Sequence, residues 1–217
     1  REEIYSLSLE EVKERDFEQP NCIILEATEE LEYAAPLGLK ESDFHLLNGR
    51  AKMITKRPIR LVSLSMMDLH RRRNFWDVGF CTGSVSVEAK LQFPHLNVRS
   101  FEIREEGEEL MPANSKRFGT PGIEYHIGDF METDVESFER PDAVFIGGHG
   151  GQMIPFVKKI VRYIQDNGVI VFNSVSTETL DLFREGVKEV GWVISEEMRL
   201  VVDDHNPITI LKATKEA

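Results

Sequence analysis

Asp77, Gly79 and Gly83 stand in the stretch FWDVGFCTGSVSVEA, residues 75–89, where an apolar run meets an acid, turns through glycines and continues with helical spacing. Such a passage brings one carboxylate and a row of backbone N–H groups to a ligand, which suits a nucleotide. Two further acids end predicted strands downstream. Glu102 closes NVRSFE, and Asp129 follows the third strand in GDF, just ahead of Phe130. Each acid alone is an ordinary turn or surface residue. In this order they describe one site: a glycine loop, an acid able to accept from both hydroxyls of a ribose, and a third position able to meet an adenine amino group.

The loop chemistry narrows the nucleotide. The dinucleotide fingerprint G-x-G-x-x-G, started at Gly79, requires glycine where Cys81 and Ser84 stand. The phosphate loop G-x-x-x-x-G-K-[ST] requires a second glycine at Ser84 and a lysine after it, and has neither. The pattern instead resembles the [DE]-x-G-x-G-x-G loop of class I methyltransferases, with Cys81 in the place of the middle glycine. Their S-adenosyl-L-methionine carries no phosphate but has an ammonium, a carboxylate, a sulfonium and a ribose. The expected cofactor is therefore S-adenosyl-L-methionine. The expected cofactor-binding residues include Asp77, Gly79, Phe80, Cys81, Thr82, Gly83, Glu102, Asp129 and Phe130. A side chain at position 81 is expected to fill a gap or push the loop.

Elements with the right periods must hold these residues. Thr55 followed by Pro58 reads as a helix start, and Ile59, Val62, Met66 and Leu69 recur on one face. NFWDVGF is a strand into a turn, followed by a helix bearing Val85, Ala89 and Phe93 on one side. NVRSFEI, IEYHIGD, DAVFIGG and GVIVFNSV read as further strands, separated by helices over 105–118 and those marked by Ile154, Val157, Val161 and Ile164. A last helix carries Leu180, Phe183, Val187 and Val190. WVISEEMRLVV and ITILKAT close the chain as a hairpin. Alternation of strands and helices predicts an α/β fold, a Rossmann-like, mostly parallel seven-stranded sheet with an antiparallel edge pair. The first fifty residues look different: a short helix over 10–17, a buried strand NCIILEA, then a polar stretch broken by Pro36, Gly38 and Gly49. They read as an upstream tail plus linker, with the methyltransferase domain over 51–217.

The chain has 217 residues with a net charge of −12 and no apolar run of the length a membrane span needs. Cys22 and Cys81 are its two cysteines, without disulfide or metal spacing, so no metal is expected and a cytoplasmic setting is. Its acidity argues against general nucleic-acid binding. One stretch reverses the sign: Arg50 to Arg73 holds eight bases against Asp68. This is either a solvated surface or a site for a small polyanion. An RNA methyltransferase on the same fold and a non-catalytic cofactor-binding domain are the alternatives to a small-molecule enzyme.

Taken together, MITKRPIRLVSLSMMDL, FWDVGFCTGSVSVEA, DAVFIGGHGG and NSVSTETL resemble the cobalamin-pathway methyltransferases that act on precorrin-6B, from Met53 to the end of the chain. The resemblance implies methylation of C15 with decarboxylation of the C12 acetate, and adds Thr55 and Gly147 to the cofactor contacts. It implies an anionic precorrin substrate, with Lys56, Arg57, Arg60, Gly148, Gly150 and Asn173 as substrate contacts. His149 in GGHGG is then the candidate catalytic residue, donating to a carboxylate or moving a proton, or else a solvent-facing loop histidine. In many relatives this domain follows a C5-methylating tetrapyrrole methylase. Ser6 to Ala27 resembles that domain's last helix and strand, which would make the chain part of a bifunctional C5,15-methyltransferase. A homo-oligomer, possibly a tetramer, is expected from the same resemblance.

Overall fold

The computed structural model describes residues 3–26, 37–48, 50, 52–202 and 207–216. The chain divides into two compact units, residues 1–30 and 31–217. In the first, helix α1 (Leu9–Lys13) is closed by a reciprocal capping box, in which Ser8 accepts from the Glu11 N–H while the Glu11 carboxylate accepts from the Ser8 N–H. The guanidinium of Arg15 lies 3.7 Å from the centroid of the Tyr5 ring. The expected strand at 21–27 is corrected over its described residues: 21–26 form no strand, and Ile23, Ile24 and Leu25 are exposed. A strand exists only as part of a ladder, and apolar β-propensity without a partner leaves it unformed. The expected helix over 10–17 is also shorter.

The second unit is built on seven strands: β1 (Asn74–Val78), β2 (Asn97–Glu102), β3 (Ile123–Ile127), β4 (Ala143–Ile146), β5 (Val169–Ser174), β6 (Trp192–Leu200) and β7 (Ile208–Lys215). Their order is β3-β2-β1-β4-β5-β7-β6. The first five are parallel, and β7 runs antiparallel between β5 and β6. This is the α/β arrangement that the alternating pattern predicts, with its antiparallel pair at one edge. The order reverses between β1 and β4, so their carboxyl ends open a crevice for a ligand.

Helices α2 (Arg57–Met66), α3 (Ser84–Gln92), α4 (Gly107–Phe118), α5 (Met153–Tyr163) and α6 (Thr177–Glu189) cover the sheet. Side chains alternate across β1. Trp76 and Val78 join a core with Phe101, Phe130, Phe156 and Phe183, while Phe75 joins a second core with Ile59, Val85, Phe145 and Val171. Helix α2 starts at Arg57 with Lys56 as N-cap and Pro58 in the first turn, one residue later than a Thr55 cap suggests.

A third core corrects the expected boundary at residue 50. Leu39 and Phe44 are buried with Ile54, Val87 and Phe118, and Leu47 is buried as well. The stretch from residue 38 to 47 therefore packs as part of the unit. Few of its residues are apolar, so it lacks the periodic signal of a core element, yet Leu39, Phe44 and Leu47 are buried and Leu46 is half-buried.

Candidate active site

The loop after β1 and the loop after β4 meet backbone to backbone. A Cβ on Gly79 would fall 2.5 Å from the Gly148 nitrogen, and one on Gly147 would fall 2.7 Å from the Gly79 oxygen. Gly79 also has φ +81°. Only glycine fits either position. The Gly147 N–H donates to the Val78 oxygen at 2.8 Å, and the N–H groups of Gly79 and Phe80 donate to the Phe101 oxygen. These bonds fix the glycine loop between the carboxyl ends of β2 and β4.

Asp77 is fully buried within β1. Its Oδ2 accepts from the Ser86 N–H at 3.2 Å and the Ser86 hydroxyl at 2.5 Å, so it ties the strand to the start of α3. Its Oδ1 is buried without a partner. Burial first, then the nearby Glu102 charge, push its pKa up to about 7 against the Ser86 hydrogen bonds. Thr82 presents a second orphan, its buried hydroxyl, while its carbonyl accepts from Asn114 at 2.8 Å. Orphaned buried acceptors are rare in proteins and point to a ligand that completes them. Gly83 takes φ +73° as the N-cap of α3.

Cys81 adopts φ +53°, a left-handed conformation that side chains disfavour by about 1–2 kcal/mol. The side chain does not push the loop out of its glycine-like path. Its thiol instead donates to the Met53 carbonyl at 2.9 Å, joining the loop to the segment that leads into α2. Burial pushes the thiol pKa up to about 11.

Glu102 is almost fully buried at the end of β2. Its Oε2 accepts from the Cys81 N–H at 2.7 Å, and its Oε1 accepts from the Arg104 N–H at 3.0 Å and guanidinium at 2.8 Å. Asp129 is half-buried and accepts from the Met131 N–H through Oδ1. The Phe130 ring is sunk in the core against Phe101 and Phe156, so only its backbone faces the loops. Lys159 straps this turn by donating to the Phe130, Met131 and Thr133 carbonyls.

On the substrate side the expected set separates. Lys56 and Thr55 are half-buried and Arg57 is exposed. Arg60 must be corrected. It has no exposed surface, pairs with the equally buried Glu88 at 2.6 Å, and donates to the carbonyls of Thr55 and Leu39. Arg57 and Arg60 are three apart, but the side of α2 bearing Arg60 faces α3 and the segment at 38–39. Its guanidinium is committed to the fold and unavailable to a substrate carboxylate.

Gly148 is half-buried, Gly150 exposed with φ +54°, and His149 half-buried with its ring 6.0 Å from that of Phe172. The His149 Nδ1 is buried without a partner, and burial lowers the pKa of the ring, favouring the neutral form. Asn173 at the end of β5 likewise has a buried Nδ2 without a partner, and its Oδ1 lies 3.0 Å from the Ser63 hydroxyl. One orphaned nitrogen thus lies in the glycine-rich loop after β4 and one at the end of β5.

The sequence reading missed Ser86, Glu88, Arg104 and Asn114. A signal existed for Glu88, an acid three residues after Val85 on a helix with few exposed positions. Nothing in the spacing marks Asn114, which joins Thr82 to residue 45 by bonds to both.

A family model described as a precorrin methyltransferase domain matches residues 48–217. The chain belongs to the precorrin methyltransferase family. Within that family, a cobalt-precorrin-6B C(15)-methyltransferase (decarboxylating) of Salmonella typhimurium is 34% identical over 162 residues, covering 75% of this chain and 83% of the relative. A precorrin-6Y C(5,15)-methyltransferase (decarboxylating) of a Sinorhizobium species is 29% identical over 72% of this chain but only 37% of its own length. A crystal structure of precorrin-6Y C5,15-methyltransferase from Geobacter metallireducens superposes with a TM-score of 0.77 at 27% identity, covering 85% of this chain and all of that one. The chain is thus a methyltransferase of this family. The fold is shared more widely: an O-methyltransferase from Streptomyces achromogenes, solved with S-adenosylmethionine, gives a TM-score of 0.62 at 14% identity, over 76% of this chain and 82% of that one. Among the described residues no helix is long and apolar enough to cross a membrane.

Proposed function

We propose that this chain methylates C15 of a precorrin-6B macrocycle with S-adenosylmethionine and releases the carboxyl of the C12 acetate as carbon dioxide. The family match over residues 48–217 carries the reading. The site fits the cofactor on its own terms: glycines that admit no Cβ, the orphaned acceptors of Asp77 and Thr82, and the buried carboxylate of Glu102. Asp77, Gly79, Phe80, Cys81, Thr82, Gly83 and Gly147 would hold its methionine end, Glu102 its ribose, and Asp129 with the Phe130 backbone its adenine. Thr55 would close the site from the α2 side. The bound cofactor supplies an electrophilic methyl group.

The protein's share is alignment and exclusion of water, which lower the barrier by fixing the reacting carbon in line. Lys56 and Arg57 receive carboxylates at the rim. The Gly148 and Gly150 backbone allows a flat ring to approach, and Asn173 with His149 line its floor. A largely neutral His149 can donate a hydrogen bond to the departing carboxylate or deliver a proton to the exocyclic carbon that the carboxyl leaves, which becomes a methyl group. The electrons released by decarboxylation remain in the conjugated macrocycle, so no metal is needed as a sink.

The exposed apolar residues Ile23, Ile24 and Leu25 and the bifunctional Sinorhizobium relative support a C5-methylating domain as the neighbour of residues 1–30. The reading also includes assembly of copies of the chain in the cytoplasm, with nucleic acid outside the substrate range. The test is mass spectrometry of the purified chain with S-adenosylmethionine and either precorrin-6B or its cobalt form. Gain of one methyl and loss of carbon dioxide is expected. Methylation of transfer RNA and of neither macrocycle would overturn the proposal.

A further inference from the structure

Glu102 already has three of its acceptor positions taken. A carboxylate offers about four lone-pair positions, two on each oxygen. Oε2 uses one for the Cys81 N–H, and Oε1 uses both for the Arg104 N–H and guanidinium. A vicinal diol gripped by both oxygens needs one free position on each. Oε2 has one and Oε1 has none. The backbone N–H of Arg104 is fixed by the chain, whereas its guanidinium sits on a flexible stem, and the side chain is 35% exposed. It is the partner that can leave.

We propose that the Arg104 guanidinium is a placeholder in the nucleoside subsite, pairing with Glu102 in the free protein and displaced when a ribose diol binds. This rests on the reading of Glu102 as the ribose acid. A nearly buried carboxylate without a counter-charge would be costly to keep, and it stands close enough to Asp77 for the two charges to repel. Arg104 compensates it until hydroxyl donors arrive, then moves to solvent. The diol therefore competes with an internal partner, and ligands lacking it leave the ion pair in place.

Removal of the guanidinium has a consequence opposite to that of an ordinary binding residue. With Arg104→Ala the diol displaces nothing, and the unpaired Glu102 of the free protein gains more from the hydroxyls. Calorimetry of the whole chain with S-adenosylhomocysteine, which lacks the sulfonium charge, and with its 2′,3′-dideoxy analogue tests this. Arg104→Ala should bind S-adenosylhomocysteine roughly threefold to tenfold more tightly than the wild type, the scale of one ordinary, partly solvent-screened bond no longer broken. Its free form should melt at a lower temperature, and its affinity for the dideoxy analogue should equal that of the wild type. Unchanged or weaker binding of S-adenosylhomocysteine overturns the proposal, and so does an equal gain for both ligands. Absence of binding of either ligand to the wild type overturns the nucleoside reading itself, a distinct result. If Arg104→Ala fails to fold, Arg104→Lys, with a shorter reach and one nitrogen, should shift affinity in the same direction, and a loss again overturns the idea.

Discussion

Arg60 and Glu88 form a fully buried ion pair, 2.6 Å between Nε and Oε2, that holds three segments together. Glu88 also accepts from the N–H groups of Gly38 and Leu39, and Arg60 donates to the carbonyls of Leu39 and Thr55. Breaking one side leaves the other charge uncompensated in the interior. Arg60→Ala should therefore lower stability by about 3–5 kcal/mol. Arg57→Ala, exposed one turn earlier, should leave stability within about 0.5 kcal/mol and raise the macrocycle KM by roughly twofold to fivefold. Urea unfolding and steady-state kinetics on the two variants separate the roles. A raised KM with unchanged stability in Arg60→Ala would show that its guanidinium faces the substrate.

The same pair predicts where the chain can be shortened. Starting at residue 49 removes Leu39, Phe44 and Leu47, each worth about 1.5–3 kcal/mol when buried, and leaves Glu88 without its N–H donors. That truncated chain should lose cooperative unfolding or most of its stability. Starting at residue 31 should retain both. Parallel thermal melts of the two chains decide it.

Asp77 makes the stability of the free protein depend on pH. Its pKa is raised in the folded protein to about 7, above its ordinary value in the unfolded chain. Between about pH 4 and 7 the native state therefore holds a proton that the unfolded state has lost, so stability falls as pH rises across that window. The slope for one such proton is about 1.4 kcal/mol per pH unit. Asp77→Asn, which can still accept from Ser86, should flatten this dependence. An unaltered slope in the variant would assign it to other groups.

Cys81→Gly exchanges three small effects: relief of left-handed strain, loss of the thiol bond to Met53, and greater freedom in the unfolded chain. They should cancel to within about 1 kcal/mol. Cys81→Val, branched at Cβ and without a donor, should destabilise by more than 1 kcal/mol. Chemical denaturation of both variants measures the ordering, and equal stability of the two would show that the conformation carries no strain.

Glu102→Ala should weaken S-adenosylmethionine binding by about 1–3 kcal/mol, the scale of hydrogen bonds to a charged group. Calorimetry that finds wild-type affinity in a folded variant removes Glu102 from the cofactor site.

The sequence by itself determined the elements and the acid-ended strands. Periods of 2 and 3.6 in apolar residues are local properties, and glycines at 79, 83 and 147 mark places where backbone must turn or touch backbone. Residues 75–89 therefore disclosed both the strand–loop–helix passage and the kind of ligand it suits. Tertiary structure alone decided which polar groups face each other. Arg57 and Arg60 are alike as sequence, three apart on a basic stretch, yet one is exposed and the other buried on Glu88, 28 positions away. The apolar run at 21–26 shows the converse, since β-propensity became no strand where no ladder received it. Arg104 occupies Glu102 for the same reason Asn114 reaches Thr82: burial removes water, and each buried polar group must find its partner in whatever segment the fold brings within about 3 Å.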